Sequence, residues 1–240
     1  MGKQSRRRRA GRGSDGPDFA FPTPGEVRNA FDQFDMSAGW PVIARSVLPL
    51  FPRHTPSTVR AGAPIQAFLP PGIPVSFGID IGPAFVTMTR ELADGWGVDT
   101  GDVVKTALDN VRALAAELPP ALVGDVRLED GLRVRMLRSR AGWSSTLLLL
   151  PDLLPRFFGP GPHLMGAPCR DVLFAFPPTM DPDHAAAMVE AISWADPAGI
   201  AVAGYLHHAG VLEPVVPAAP GSALGGAGIG SLAAGPARVV

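Results

Sequence analysis

The chain contains only one cysteine, Cys169, in 240 residues. A single thiol excludes a disulfide framework within the chain and any zinc module built from several cysteines. The neighbouring Arg170 could lower the pKa of this thiol. A phosphatase-type loop, however, places an arginine six residues after the cysteine, and that position is Ala175. We therefore interpret Cys169 as a partly buried thiol in a turn.

The sequence also lacks the motifs whose spacing is fixed by their chemistry. No G-x-S-x-G elbow surrounds Ser144 or Ser145, and no G-x-x-x-x-G-K-[ST] loop is present to bind phosphate. The five histidines include no H-E-x-x-H or H-x-x-x-H spacing. The neighbours His207 and His208 point to opposite faces of a predicted strand, so they are not expected to share a metal. We expect no metal site and no cofactor.

Positive charge is scarce outside the N-terminus. The chain has 21 basic and 22 acidic residues, but residues 1–12 hold six of the basic ones and no acidic one. The rest of the chain therefore has a net charge of −7, and a body of this sign is a poor polyanion binder by itself. Residues 1–20 are predicted to be a disordered basic arm. Weak attraction to nucleic acid or an anionic surface is possible only through its arginines, Arg6, Arg7, Arg8 and Arg9.

Neither end of the chain has the pattern of a membrane or export segment. No apolar stretch follows the arginines, so we expect no export signal and a cytoplasmic protein. Residues 214–237 carry no charge, but three prolines interrupt them and most of the others are alanine or glycine. Such residues contribute too little transfer free energy to hold a helix in lipid. We predict a disordered Gly/Ala/Pro-rich tail over 214–240.

The body, residues 21–213, alternates between helical and strand patterns. Thr23 and Glu26 form a capping box before a short amphipathic helix. Asp99 or Thr100 caps a second helix, which ends before a pair of prolines. Hairpins separated by helices predict an α+β fold, a single domain with a mostly antiparallel sheet and three to four helices. The predicted helices begin near residues 23, 99, 152 and 181, and the predicted strands cover 75–81, 84–89, 126–128, 132–136, 163–167, 172–176 and 200–206.

Two opposite charges, Arg170 and Asp171, lie at the predicted tip of an otherwise apolar hairpin. They can bond to each other and to the amides of the turn, which is a structural role. Alternatively, Arg170 can present a planar donor to a carboxylate or phosphate. The structural role is the one we favour.

Two further polar residues are candidates for a binding site. Asn110 lies in helical phase with Val103, Ala107 and Leu114, at the margin of a buried face, where an amide usually bonds a loop carbonyl. Asp80 ends the polar face of a predicted strand and is expected to be solvated. The tryptophans Trp96, Trp143 and Trp194 are interpreted as lids over a small core.

The order of several short motifs resembles that of a known family. Residues 95–98 read Gly-Trp-Gly-Val before a helix that includes residues 107–111, and residues 167–171 read Ala-Pro-Cys-Arg-Asp before an apolar strand. Over residues 65–206 this order resembles the bacterial YtpQ-like proteins. The sequence departs from the pattern at 142–143, where that family's segment begins with an acidic or aromatic residue. The resemblance implies a fold and no reaction.

These observations lead to three hypotheses about function. The first is a non-enzymatic α+β domain that binds another protein, because a full set of core elements occurs without a recognisable nucleophile, base or metal set. The second is an enzyme or small-molecule binder with a site near the Arg170–Asp171 turn, which requires Asp80, Asn110, Arg170 and Asp171 to converge on one pocket. The third is weak contact with nucleic acid through the basic arm.

Overall fold

A computed structural model describes residues 23–52, 62–128, 131–139, 142–196 and 199–215. The predicted basic arm and the residues beyond Val215 lie outside the described residues. Pro214, where the predicted tail begins, ends a strand, and the N–H of Val215 donates to the carbonyl oxygen of Gly204 at 2.6 Å. The described body therefore extends to residue 215.

The described residues form six α-helices and ten β-strands. The helices are α1 (Pro24–Gln33), α2 (Trp40–Ile43), α3 (Arg90–Gly95), α4 (Thr100–Glu117), α5 (Leu154–Phe158) and α6 (Pro182–Ala195). The strands are β1 (Val47–Leu50), β2 (Gln66–Leu69), β3 (Ile73–Asp80), β4 (Phe85–Thr87), β5 (Val123–Arg127), β6 (Arg133–Arg138), β7 (His163–Cys169), β8 (Val172–Phe176), β9 (Gly199–His208) and β10 (Val211–Pro214). Short 3₁₀ turns cover Ala44–Ser46, Pro120–Leu122, Ser144–Leu149 and Pro151–Leu153.

The strands build two antiparallel sheets. In the four-stranded sheet, β3 pairs with β1, β2 and β4. The six-stranded sheet has the strand order β10-β9-β7-β8-β6-β5. Every strand pair described is antiparallel, which confirms the predicted α+β fold with a mostly antiparallel sheet. None of the helices in the described ranges is long and apolar enough to cross a bilayer.

Local sequence signals set several boundaries. The capping box of α1 is confirmed: the Thr23 hydroxyl accepts the N–H of Glu26 at 3.2 Å, and the Glu26 carboxylate accepts the N–H of Thr23 at 2.6 Å. Asp99 caps α4 by accepting the N–H of Asp102 at 2.8 Å. The β5–β6 hairpin is confirmed, with Gly131 at φ +86°, whereas Asp130 of its predicted turn lies outside the described residues. Glycine suits this positive φ because it has no Cβ.

A distant arginine completes the C-terminus of α4. The last carbonyls of a helix have no partner within it, and Pro119 cannot continue α4. The guanidinium of Arg156, in α5, donates to the carbonyl oxygens of Ala115 at 2.7 Å, Ala116 at 3.0 Å and Leu118 at 3.0 Å. A cation at this end also complements the helix dipole. The end of α4 is therefore fixed by a residue about forty positions later in the chain.

One buried segment joins the two sheets into a common core. All residues of 143–150, which we call the central segment, are buried, although three of them are Ser144, Ser145 and Thr146. They share a continuous hydrophobic cluster with Phe77 of the four-stranded sheet and Leu173 of the six-stranded sheet. The described body therefore has one main core rather than one for each sheet.

The helix α6 covers the other face of the six-stranded sheet. Phe174 and Phe176 of β8 alternate with residues of the main core and form a second cluster with Val189 of α6. A Cβ at Gly166 would lie 2.6 Å from Val189 Cγ2, so the close approach of α6 requires glycine there. The helix buries Ala185, Val189 and Ser193, with Ile192 partly buried.

Candidate functional site

The Arg170–Asp171 turn is fastened to the central segment through its main chain. The two residues connect β7 to β8. The carbonyl oxygen of Arg170 accepts the N–H of Ser145 at 3.1 Å. The carbonyl oxygen of Asp171 accepts the Ser144 hydroxyl at 2.7 Å and the N–H of Ser139 at 3.0 Å. The observed anchoring therefore uses the backbone carbonyls of the turn, and the structural role of the two side chains stays a prediction.

The side chains of the turn contact the four-stranded sheet. The Arg170 guanidinium carbon lies 4.9 Å from the centre of the Phe85 ring, a cation–π contact. Gly142 has φ +71°, and a Cβ there would lie 3.3 Å from the Phe85 ring and 3.5 Å from Asp171 Oδ1. The turn, Gly142 and Phe85 thus form a packed junction between the two sheets.

The electrostatics of the turn do not favour a nucleophile. Burial raises the pKa of the Cys169 thiol to about 12, and the negative charges of Asp196 and Asp171 add to the shift. The thiol is therefore protonated at neutral pH. Burial also raises the pKa of Asp171, and Asp196 raises it further, whereas the positive charge of Arg138 and the N–H of Gly142 lower it. A half-buried carboxyl in such a mixed environment is typical of a structural charge network.

The other two predicted site residues, Asp80 and Asn110, line a different place. It is an open concavity of about 320 Å³ between the end of β3 and α4, which we call the α4 concavity. The Nδ2 group of Asn110 donates to the carbonyl oxygens of Ala44 at 2.7 Å and Val47 at 2.8 Å. This confirms that the amide bonds nearby loop carbonyls. Asp80 Oδ1 accepts the N–H of Gly82 at 2.7 Å, and burial raises the Asp80 pKa.

The four predicted site residues therefore form two pairs rather than one pocket. Asp80 faces Phe85 across the β3–β4 pairing, and the Phe85 ring carries Arg170 on its face. One member of each pair therefore contacts Phe85 of β4. Asp80 and Asn110, however, line the α4 concavity, whereas Arg170 and Asp171 belong to the packed junction between the two sheets. Among the residues that the structure describes, no group of three or more histidine, cysteine or acidic side chains is placed to hold a metal ion.

Two histidines face each other inside the six-stranded sheet. His163 of β7 and His207 of β9 are register partners. His207 is fully buried and its neighbour His208 is exposed, which confirms that the two point to opposite faces. The described residues supply no well-formed hydrogen bond to either ring nitrogen of His207 or to Nε2 of His163. Burial lowers the pKa of both, and Arg135 lowers that of His163 further.

We expect this pair to make stability fall in mild acid. The unfolded state binds protons near the ordinary histidine pKa of 6.5, whereas the folded state binds them only at lower pH. The free energy of unfolding therefore has its full value above pH 6.5, and it decreases as the pH falls below 6.5. Urea denaturation between pH 8 and pH 5.5 measures this slope. His207→Leu should flatten it and His184→Gln, a change at an exposed position, should not; equal slopes in the two variants would contradict the assignment.

The tryptophans have different environments. Trp143 is buried, and Trp40 and Trp96 lie 6.2 Å apart, centre to centre, beside the main core. Trp194, however, is 65% exposed, so its interpretation as a lid over the core is wrong. The reason is helical phase: Ser193 takes the buried position, which turns Trp194 and the neighbouring Ala195 outward.

This rotation produces a surface that sequence reasoning missed. The exposed residues of α6 combine Trp194 and a row of alanines with the charged Asp183 and Glu190 and with His184. The signal in the sequence is a row of alanines spaced four residues apart, Ala187, Ala191 and Ala195. The outer face of α6 comprises its exposed residues, Asp183, His184, Ala187, Glu190, Ala191, Trp194 and Ala195.

No family model, curated protein or solved structure matches the chain. The resemblance to the YtpQ-like proteins stays a prediction.

Proposed function

We propose that the protein is a non-enzymatic interaction domain that binds another protein through the outer face of α6. The observation that carries this proposal is Trp194, 65% exposed beside Ala187, Ala191 and Ala195. Tryptophan is enriched among the residues that dominate binding energy at protein interfaces.

The other long helix of the body provides the contrast. The exposed side of α4 carries charged residues, and Lys105 pairs there with Asp109 at 2.8 Å. Arg112 of the same helix pairs with Asp152 at 2.7 Å. Glu190, one turn before Trp194 on the outer face, accepts the indole N–H at 3.3 Å. The outer face of α6 also carries charged residues, and what distinguishes it from the solvent side of α4 is the exposed ring of Trp194 beside the alanines.

The shape of this face favours a helix as the partner element. Ala187, Ala191 and Ala195 lie one turn apart, and their small side chains allow a second helix to approach closely. Trp194 stands beside this row and offers a large apolar ring, whose N–H donates to Glu190. We expect an amphipathic partner helix whose apolar side faces the alanines.

The two alternatives have less support. A site near the Arg170–Asp171 turn required four side chains to converge, and they form two separate pairs. Cys169 is a protonated thiol at neutral pH because burial raises its pKa to about 12. The arginines proposed for nucleic-acid contact lie outside the described residues.

The proposal is tested with a photo-crosslinking residue at position 191 of the full chain. A single crosslinked partner is expected there, and none is expected with the same group at position 109 on α4. The partner, once purified, should bind Trp194→Ala at least tenfold more weakly by calorimetry, the usual size for an interface anchor. The melting temperature should be unchanged, because Trp194 is mostly exposed.

Phe31→Ala is the matched control, because Phe31 is an aromatic residue that is 52% exposed on α1. It should leave the affinity unchanged. Equal weakening by both variants, or equal crosslinking from positions 191 and 109, would contradict the proposal. If the crosslinked partner is a second copy of the chain, sedimentation should show a dimer that Trp194→Ala dissociates.

A further inference from the structure

We propose that His163 and His207 bind a monovalent copper ion between β7 and β9. The inference is independent of the outer face of α6. It rests on two imidazoles that the strand register places side by side, and on buried ring nitrogens without a well-formed hydrogen bond among the described residues. Sequence spacing did not predict this site, because the two histidines lie far apart in the chain.

The pairing of β7 with β9 brings the two rings together. His163 is the register partner of His207, and the register stays regular as far as the pair Met165 and Tyr205. The two histidines therefore project from the same face of the sheet. Directly opposite residues of an antiparallel pair have Cβ atoms roughly 5 Å apart. A metal–imidazole bond is about 2 Å long, so two rings at this separation can reach one ion.

Three ring nitrogens of this pair are buried without a well-formed hydrogen bond to the described residues. They are Nε2 of His163 and both nitrogens of His207, whose side chain is fully buried. Buried polar atoms are nearly always bonded, and each exception requires an explanation such as a bound water or ion. A neutral imidazole has one nitrogen with a lone pair, and this lone pair is what a metal ion binds. The pair thus presents one such nitrogen from each strand.

Backbone groups near each ring supply what a metal-bound histidine needs on its other nitrogen. Burial lowers the pKa of both rings, and the backbone of Phe158 for His163 and of Pro151 for His207 opposes this shift. A metal-bound histidine usually donates its second N–H to a backbone carbonyl or a carboxylate, which orients the ring. The Phe158 ring also packs edge-on against His163, with ring centres 6.4 Å apart. Each imidazole is therefore placed to donate from one nitrogen and to coordinate with the other.

The charges around the pair select a monovalent ion. Among the described residues, no acidic or cysteine side chain joins the two histidines in a set of three that could hold a metal. A divalent ion would therefore be buried without a compensating negative charge, which is costly. Burial lowers the pKa of His163, and the positive charge of Arg135 lowers it further. The same charge repels a divalent ion twice as strongly as a monovalent one.

A sulfur atom on the same side of the sheet favours copper. Met165 lies two positions after His163 on β7, and residues two apart along a strand share a face. Its side chain is buried in the main core. Thioether ligands select Cu(I), and imidazole also suits copper. The two nitrogens and this thioether together form a donor set for Cu(I) rather than for zinc, which takes four ligands.

The test measures Cu(I) binding to the full chain under nitrogen, in competition with bicinchoninate, a chelator whose Cu(I) complex is coloured. One equivalent of Cu(I) should pass from the chelator to the protein. His163→Gln and His207→Gln should each weaken binding at least tenfold, because loss of a residue that only orients a ligand already costs roughly 10- to 100-fold. Met165→Leu should weaken binding less than either. Zn(II), measured against a zinc-binding dye, should bind more weakly than Cu(I).

His208→Gln is the matched control, because His208 is an exposed histidine one position along β9, and it should leave the affinity unchanged. Cys169→Ala removes the buried thiol, the other soft ligand, and should also leave it unchanged. X-ray absorption of the wild-type complex should show two nitrogen neighbours at about 2 Å, a result that does not depend on how a variant folds. Absence of Cu(I) transfer, equal affinity of wild type and both histidine variants, loss of binding in Cys169→Ala, or a shell of sulfur alone overturns the inference.

Discussion

Leu148→Ala should lower the free energy of unfolding by about 2 to 5 kcal/mol, the range for truncating a buried leucine. Leu148 is completely buried in the central segment. Its cluster contains residues of both sheets. The cavity left by this change therefore weakens both sheets at once, and we expect a single unfolding transition at lower urea concentration.

Urea denaturation followed by circular dichroism and by tryptophan fluorescence measures this effect. The two signals should change together, because the backbone and the buried Trp143 belong to the same core. Leu122→Ala is the control: Leu122 is 45% exposed, and its truncation should cost well under half as much. If fluorescence and circular dichroism give separate midpoints, the two sheets unfold independently and the common core is not a cooperative unit.

Ser144→Ala and Ser145→Ala should have different effects on stability, although the two serines are adjacent and equally buried. The Ser144 hydroxyl lies 2.7 Å from the Asp171 carbonyl oxygen and 2.7 Å from the Ser139 hydroxyl, and accepts the N–H of Ser139 at 3.1 Å. Its removal leaves buried partners unsatisfied, and we expect a loss of about 2 to 3 kcal/mol. The Ser145 hydroxyl has no hydrogen-bond partner among the described residues. Its removal should be neutral or stabilising, because a buried hydroxyl without a partner costs free energy.

The difference between the two serine variants is the informative quantity. Both changes remove one oxygen from the same 3₁₀ turn, so effects on helical propensity or on the unfolded chain largely cancel. Thermal and urea unfolding of the two variants measure it. A Ser145→Ala protein as unstable as Ser144→Ala would show that the hydroxyls are equivalent and that the Asp171 carbonyl is not the anchor of the turn.

The parts of the fold that could be predicted from sequence are those fixed by neighbouring residues. The capping box at Thr23 needs only the residue three positions later, and it is observed. The β5–β6 hairpin follows from alternation of apolar residues on both sides of a turn. The β7–β8 hairpin follows from two continuous apolar runs on both sides of a turn. The role of Asn110 also followed from local phase, because its neighbours Val103 and Ala107 are buried.

The parts that could not be predicted depend on residues far apart in the chain. Whether Ser193 or Ala195 faces the core depends on how α6 sits against β7, where Gly166 lets Val189 come close. The pattern of α6 alone permits both phases, because nearly all its residues are small or apolar. The separation of Asp80 from Asp171 likewise depends on the packing of two sheets. The number of residues between Asp80 and Asp171 in the sequence does not determine their distance in the fold.

The link from Arg156 to the end of α4 has a consequence for which insertions the chain tolerates. Each residue of a helix turns the chain by about 100° and advances it by about 1.5 Å. One extra residue in the last turn of α4 would point the carbonyls of Ala115, Ala116 and Leu118 away from the guanidinium that binds them. The hairpin loop between β5 and β6 lies between α4 and Arg156 in the sequence. An insertion in this loop would turn neither the carbonyls of α4 nor the guanidinium of Arg156. We therefore expect length variation to be tolerated in that loop and not in the last turn of α4, although only a 3₁₀ turn and β5 lie between them.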